Sequence, residues 1–278
     1  MTACSEPGVV STAATLRRLC NLPRMNANAL RLLALSAQAE ATLEEFEDIF
    51  GSDSSLAAEI LRVANSAEFG QRARVTHIKM ALMVLGIDRT RCLGASIVMN
   101  QCTRWLIGER EIKLLWRHGV ASAIVAEELG KRLPHRLGYL YTAGLTHDLG
   151  RSGLVLLGRE RYLDLMRKEF QTVGEAVILE KAILGVTHCE AGLFLAQSWN
   201  FPAVLRQSIG SHHDPVGEQD DDAQRIIRGA CLLAGELGYP EVAGVVEASP
   251  GRAAAELEIG PEEQARLRQA IERRLQLI

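Results

Sequence analysis

The sequence is poor in aromatic residues, in clustered basic charge and, over one long stretch, in proline. Phe, Trp and Tyr make up 5% of the 278 residues, so a core must be built from aliphatic side chains. No proline lies between Pro23 and Pro134, which suits long helices and is unlike a turn-rich all-β fold. Hydrophobic residues make up 47% and charged residues 23%, the balance of a globular protein. We predict an all-α fold.

Charge and cysteine content exclude further classes of protein. The formal net charge is −3 and there is no long run of Lys and Arg, so we expect no nucleic-acid partner. The six cysteines form no C-x-x-C pair and are typical of scattered core thiols in a reducing compartment. No apolar run reaches the ~18 residues that span a bilayer, and the first residues do not resemble a signal peptide. We therefore expect a cytoplasmic protein without a membrane partner.

Hydrophobic periodicity predicts a series of amphipathic helices. Capping boxes formed by Thr42 with Glu45 and by Thr187 with Glu190 mark the start of two of them. A helix from Leu137 to Leu149 is predicted to end at Gly150. Further helices are predicted at 55–70, 78–86, 111–133, 162–170, 174–184, 223–238 and from Pro261 onward, with a loop at 244–251.

Five of the seven histidines lie in one half of the chain and carry the chemical interest. They are His118, His147, His188, His212 and His213, and Asp148 follows His147 directly. Neutral imidazoles and a hard carboxylate that converge from separate helices are what a divalent metal site requires. Adjacent helical side chains diverge by ~100°, so His147 and Asp148 can share an ion only at a helix end. His77 and His135 stand alone and are predicted to be surface or capping residues.

Four of these five histidines also have a purely structural interpretation. His118 lies at the edge of an apolar stripe, where a hydrogen-bonded core histidine is equally expected. His188 directly follows the cap residue Thr187, and position alone favours a solvent-facing histidine of the first turn. His212 and His213 end a helix, whose negative end favours a charged histidine without any metal.

As an ordered set, H…HD…H…HH resembles the ligand order of the HD superfamily of metal-dependent phosphohydrolases and of its HD-GYP branch. The sequence is more similar to the HDOD family, the HD-related output domain of bacterial signalling proteins. The resembling segments are SLAAEILRVANSAEFG (55–70), VTHIKMALMVLGIDR (75–89), TAGLTHDLGRSGL (142–154), GVTHCEAGLFLAQSWNFP (185–202) and IGSHHDP (209–215). The resemblance covers roughly 22–238, and it is this combination, not the HD pair alone, that is specific.

The resemblance implies a multi-helical fold in which an N-terminal helical subdomain packs on an HD-like subdomain. We assign 1–21 to an N-terminal lead, 22–110 to the first subdomain, 111–240 to the second and 241–278 to a C-terminal loop and helix. Such domains are regarded as regulatory modules of signalling pathways, which implies a protein partner. They often stand beside receiver or cyclic-dinucleotide-related domains, so this chain acts alone or is a piece of a longer protein.

Two departures from the family patterns bear on the chemistry. Asp53-Ser54 stands where Asp-Pro is usual, a detail of a loop. Cys231 aligns best with the late Asp of HD phosphohydrolases, so a hard oxygen ligand is replaced by sulfur. The implied cofactor is then a divalent transition metal, Zn, Fe, Ni or Mn, and Mg is a poor fit.

Two functions remain open at this point. The first is a non-catalytic signalling module with an HD-like pocket that holds a metal or senses a ligand. The second is a metal-dependent phosphohydrolase of a nucleotide or cyclic dinucleotide, with His147 and Asp148 as central ligands. Its phosphate contacts would be Lys113, Arg151, Lys181 and Arg206, although such residues more often form a solvated face. The missing Asp and the absence of a GYP-type motif favour the first function.

Overall fold

The computed structural model consists of helices. It describes residues 11–22, 25–66, 74–103, 110–134, 137–215, 217, 219–242, 245 and 251–277. Within these ranges there are sixteen α-helices, and the β-structure is limited to one isolated bridge between Phe170 and Val245. The predicted all-α fold is confirmed. No helix in the described part of the chain has the length and apolar character needed to cross a membrane.

One group of helices comes from the first part of the chain. Its members are α2 (Ala27–Ser36), α3 (Leu43–Ser52), α4 (Ser54–Ala64), α5 (Ile78–Leu85) and α6 (Ile87–Thr103). The capping box predicted at Thr42 and Glu45 is present and begins α3. The side chain of Asp53 accepts hydrogen bonds from the backbone of Ser55 and Leu56. Asp53 therefore caps α4 although Ser54 stands where proline is usual.

A second group surrounds the long helix α7. It contains α7 (Arg110–Gly130), α8 (Leu140–Thr146), α9 (Leu149–Leu157), α10 (Arg159–Met166), α11 (Val173–Leu184), α12 (His188–Ser198), α13 (Ala203–Ser211) and α14 (Asp222–Glu236). Helix α7 packs against α8 and α14, α9 against α12, and α12 against α13. Helix α6 packs on α8 and joins the two groups. The core between these helices is aliphatic, as expected from the few aromatic residues.

The predicted helix from Leu137 to Leu149 is wrong in its extent. The chain forms two helices instead, α8 and α9, which are separated at His147 and Asp148. Gly150 does not end a helix but lies in the first turn of α9. A Cβ atom there would come within 1.8 Å of the carbonyl oxygen of His188, so this glycine lets α9 cross α12 at close range.

The terminal segments both pack onto the second group. Helix α1 (Thr12–Leu19), inside the predicted lead, lies against α9 and α12. At the other end, α15 (Arg252–Glu256) was not predicted, and α16 (Pro261–Leu277) packs on α7 with Ile271 fully buried. Of the predicted loop at 244–251, only 245 and 251 lie within the described residues. The subdomain boundaries stay a prediction.

Candidate metal centre

The helices of the second group bring five of the predicted ligands to one buried point. His118 comes from the middle of α7, His147 and Asp148 from the break between α8 and α9, His188 from the first turn of α12, and His212 from the C-terminal cap of α13. Each is buried, with Asp148 the most exposed at 8%. The interpretation of His188 as a solvent-facing residue is therefore wrong. Its side chain is buried in the core from the first turn of α12, and the capping residue Thr187 marks only where the helix begins, not which way it faces.

All four histidine rings are oriented the same way. In each, Nδ1 faces a hydrogen-bond acceptor of the protein. The acceptors are the Tyr239 carbonyl for His118 at 2.7 Å, the Gly144 carbonyl for His147 at 2.6 Å, the Glu180 carboxylate for His188 at 2.7 Å and the Ile209 carbonyl for His212 at 3.1 Å. Since Nδ1 must donate in each case, a neutral ring leaves the lone pair of Nε2 directed inward.

The inward nitrogens form two pairs on either side of Asp148. Nε2 of His118 lies 3.2 Å from Nε2 of His147, and Nε2 of His188 lies 3.2 Å from Nε2 of His212. Oδ2 of Asp148 faces the first pair, at 3.8 Å from His118 and 3.7 Å from His147. Oδ1 faces the second pair, at 3.4 Å from His188 and 3.5 Å from His212. The carboxylate thus stands between two matched sets of donors.

These donors fit a divalent transition metal. Two imidazole nitrogens bound at about 2.0–2.1 Å to one tetrahedral ion lie about 3.3 Å apart, close to the 3.2 Å found in both pairs. Facing lone pairs repel each other unless a proton or a metal ion lies between them. In addition, the buried Oδ2 of Asp148 has no hydrogen-bond partner, and buried polar atoms of this kind need an explanation. A metal ion would satisfy all these groups together.

The surroundings of the centre are negatively charged. Asp148, Glu180 and Glu241 are buried around the fully buried guanidinium of Arg151. It donates to Asp148 at 3.1 Å, to Glu180 at 2.8 Å and, by a short bond, to Glu241. Burial alone would raise the pKa of the Asp148 carboxyl, but Arg151 and the histidines hold it well below its usual range. Three carboxylates and one guanidinium leave two negative charges in excess, which is what one divalent cation neutralises.

The titration of the imidazoles agrees with this picture. Burial lowers the pKa of His147 to about 3, so this ring is neutral and ready to bind a metal. His212 behaves differently: burial and His213 lower its pKa, but Cys189 and Asp148 outweigh them and raise it.

The other predicted residues are placed as follows. His213 is partly exposed, and its Nε2 lies 3.2 Å from Glu241. It also belongs to a group of potential ligands with Asp148, His188 and His212. His77 is exposed at the start of α5, as predicted. His135 lies outside the described residues.

The predicted phosphate contacts do not gather at the centre. Arg151 has no exposed surface and is bonded to internal carboxylates, so the role of phosphate contact does not fit it. Lys181 is exposed and bonded to Glu190 at 2.7 Å. Lys113 is exposed on α7, and Arg206 is half-buried on α13.

Two acidic residues of the site were missed by the sequence analysis. Glu180 lies at the end of α11 and accepts from Nδ1 of His188, which fixes the ring as a carboxylate does behind many metal-binding histidines. Glu241 comes after α14 and forms a potential ligand group with His118 and Asp148. Its carboxylate places an oxygen donor beside Cys231, whose Sγ lies 3.9 Å from Oε1. No local pattern marks either residue, because only the packing of α11 and α14 on the centre places them there.

A cavity of about 300 Å³ reaches one side of the centre. Its inner wall contains His118, Cys231 and Glu241, which are buried, and its outer wall contains Arg252 and Glu256, which are exposed. Leu232, Val173, Val245 and Ala253 give the remaining lining a largely apolar character. A small molecule in this cavity would lie directly beside His118.

The comparisons with known proteins agree with this architecture. The sequence profile of the HDOD domain matches residues 22–215. The chain belongs to the HDOD domain family. A curated relative, an uncharacterised protein of Treponema pallidum (strain Nichols), is 24% identical over 199 residues, which are 71% of this chain and 38% of the relative. The matched segment therefore spans well under half of that longer relative.

Solved structures share the fold. An HDOD domain protein of unknown function from Geobacter sulfurreducens has a TM-score of 0.70 at 22% identity, over 92% of this chain and 86% of its own. A candidate signal transduction protein from Marinobacter aquaeolei VT8 has a TM-score of 0.69 at 19% identity, over 95% and 62%. A candidate phosphohydrolase from Shewanella amazonensis SB2B has a TM-score of 0.64 at 23% identity, over 93% and 98%. At these identities the likeness concerns the fold alone.

Proposed function

We propose that this HDOD protein is a non-catalytic signalling module whose buried centre holds a divalent transition metal. The observation that carries the proposal is the donor set: four inward Nε2 atoms and an orphaned carboxylate oxygen, without a basic pocket for phosphate beside them. Binding of the metal, or of a ligand in the adjoining cavity, would determine the signalling state of the module. A protein partner in a signalling pathway would recognise that state.

The lining of the cavity argues against a phosphate ester as substrate. Among its described residues the permanent cation is Arg252, whose Nε is bonded to Glu256 at 2.7 Å. Glu241, on the inner wall, adds a negative charge. Metal-dependent phosphohydrolysis depends on cationic groups that hold the phosphate oxygens, and Arg151 is enclosed by carboxylates. A phosphate dianion would meet repulsion here.

The nature of the donors limits the metal. Imidazole nitrogen and the neighbouring thiol of Cys231, whose Sγ lies 3.6 Å from Nε2 of His118, suit Zn, Fe or Ni, and Mn is the hardest ion of the proposed set. Burial, and then Glu241 and Asp148, raise the pKa of the Cys231 thiol well above its usual value. Mg, which prefers oxygen ligands, does not fit.

A second function, a metal-dependent phosphohydrolase of a nucleotide or cyclic dinucleotide, is favoured by one observation. Asp148 directs one oxygen to each histidine pair, an arrangement suited to holding two ions. A bound divalent ion would supply Lewis-acid activation of water and of phosphate oxygens. Asp148 and His147 would then be the central ligands. A candidate phosphohydrolase also shares the fold.

Metal analysis and a hydrolysis assay separate the two functions. The protein is purified without chelator, its metal content is measured, and it is incubated in Mn²⁺ with a phosphodiester reporter and cyclic dinucleotides. We expect bound metal, lost in His147→Ala and Asp148→Ala, and no turnover. His77→Ala, at an exposed histidine far along the chain, is the matched control and should keep its metal.

Two results would reject the module. Hydrolysis by the wild type that disappears in both His147→Ala and Asp148→Ala would establish the phosphohydrolase. A protein that binds none of Zn²⁺, Fe²⁺, Ni²⁺ or Mn²⁺ would remove the metal from the proposal. A rise in melting temperature on addition of Zn²⁺ provides an independent readout, because an ion that binds the native state stabilises it by about 2.7 kcal/mol at 100 times its Kd.

A further inference from the structure

A second thiol lies at the centre, on the side opposite Cys231. Cys189 is buried in the first turn of α12, directly after His188. Its Sγ lies 3.5 Å from Nε2 of His188 and 4.0 Å from Nε2 of His212. Cys231 has the corresponding place on the other side, with its Sγ 3.6 Å from Nε2 of His118.

The centre has two halves, each with two imidazoles, one thiol and one oxygen of Asp148, and each with one further donor beside it, Glu241 at the first half and His213 at the second. One half contains His118, His147, Cys231 and Oδ2 of Asp148. The other contains His188, His212, Cys189 and Oδ1 of Asp148. The spacing of the two nitrogens is identical in both halves, and the closest sulfur-to-nitrogen distances differ by 0.1 Å.

The sulfur distances are those of ligands on a common ion. With metal–sulfur and metal–nitrogen bonds of about 2.3 and 2.0–2.1 Å, two ligands at a tetrahedral angle lie about 3.6 Å apart. The distances of 3.5 Å at Cys189 and 3.6 Å at Cys231 agree with this value.

We propose that Cys189 and Cys231 are thiolate ligands, one in each half, of a two-ion centre with His, His, Cys and Asp148 donors on each ion. This proposal rests on the proposed function, since it needs a metal in the HD-like centre. It adds the class of metal, an ion that accepts sulfur, such as Zn²⁺, Co²⁺ or Fe²⁺. Four protein ligands on each ion close both coordination spheres, as in structural and sensing sites, whereas catalytic zinc keeps a position open.

Co²⁺ provides a direct test, since cobalt bound to thiolate absorbs in the near ultraviolet by charge transfer. The metal-free protein is titrated with Co²⁺, and the absorption is compared in the wild type, Cys189→Ser, Cys231→Ser and the double variant. We expect a plateau at two ions in the wild type, about half the charge-transfer intensity in each single variant, and none in the double variant. Cys92→Ser, at a buried thiol bonded to Glu127, is the control and should match the wild type.

A measurement on the unchanged protein covers the case in which a variant does not fold. X-ray absorption of the zinc-loaded wild type should show one sulfur per zinc at about 2.3 Å beside nitrogen and oxygen at about 2.0–2.2 Å. Bound zinc with only nitrogen and oxygen neighbours would overturn the sulfur ligands and leave the proposed metal module standing. Full charge-transfer intensity in Cys189→Ser would overturn Cys189 specifically. Absence of any bound metal would reject this proposal together with the proposed function.

Discussion

Arg151 and Glu180 form a fully buried ion pair, with Nη1 donating to Oε1 at 2.8 Å. The other oxygen of Glu180 accepts from Nδ1 of His188 at 2.7 Å. Burial alone would raise the pKa of Glu180, but His188 and Arg151 lower it to about 2. The hydroxyl of Tyr162 also donates to Oε1, at 2.7 Å, so the carboxylate is held from several sides. Glu180 therefore neutralises part of the charge of Arg151 and at the same time orients the ring of His188.

Replacement of Arg151 by methionine should destabilise the metal-free protein strongly. The variant keeps the volume but leaves Asp148, Glu180 and Glu241 without their common cation. Removal of one partner of a buried ion pair costs about 3–5 kcal/mol, and we expect a loss in that range from urea unfolding. Lys131→Met, at the exposed pair with Glu128, is the control and should change little. Equal stability of the two variants would contradict the structural role of Arg151.

Replacement of Glu180 by glutamine should weaken metal binding without removing a ligand. An amide that turns its oxygen to His188 presents its NH₂ group to Arg151, so the ring is held less firmly. Loss of such a supporting group typically lowers metal affinity by about 10–100-fold, which competition with a chromophoric chelator would measure. Glu190→Gln, at the exposed capping residue of α12, the helix that begins with His188, should keep the wild-type affinity. An unchanged affinity in Glu180→Gln would show that the carboxylate does not support the ligand.

Most of the fold follows from local patterns, and the failures have local causes. The capping boxes at Thr42 and Thr187 are real because the interaction joins residues three apart in the chain. The break at His147 and the continuation through Gly150 could not be predicted. They depend on the close crossing of α9 and α12. A glycine at position 150 looks the same in the sequence whether it ends a helix or lets two helices cross.

For the centre, the order of the histidines in the sequence was informative and their individual positions were not. His188 in a first turn is normally exposed, and here tertiary packing buries it completely. Glu180 and Glu241 could not be found because their roles arise from helices that meet only in the folded chain. Cys231 was identified through the resemblance to the family. Cys189 belongs to no sequence pattern and was recognised only from the distances between its Sγ and the nitrogens of His188 and His212.

The ion pair between Glu111 and Arg167 should make stability depend on pH. Oε1 of Glu111 accepts from Nε of Arg167 at 2.9 Å, and this hydrogen bond lowers the pKa of the carboxyl below its usual value of 4.5. The pair therefore stabilises the fold above that value and ceases to do so as the pH falls through the lowered pKa. Glu111→Gln should be less stable than the wild type by about 0.2–1 kcal/mol at pH 7, and the difference should vanish once the pH falls below the lowered pKa of Glu111. Thermal unfolding across this range measures it, and a difference that persists in acid would contradict the ionic origin.

The close crossing at Gly150 predicts a variant that damages the centre without touching a ligand. In Gly150→Ala the new Cβ would lie 1.8 Å from the His188 carbonyl oxygen and 2.6 Å from the Gly192 nitrogen, both backbone atoms, so α9 and α12 must move apart. Since Asp148 precedes α9 and His188 begins α12, the shift separates two ligands. We expect a loss of about 1–3 kcal/mol in unfolding free energy and a parallel loss of metal affinity. Gly51→Ala in α3, where an added Cβ meets nothing within 4 Å, should show neither loss and is the matched control. If Gly150→Ala kept wild-type stability and metal content, the crossing would not position the ligands.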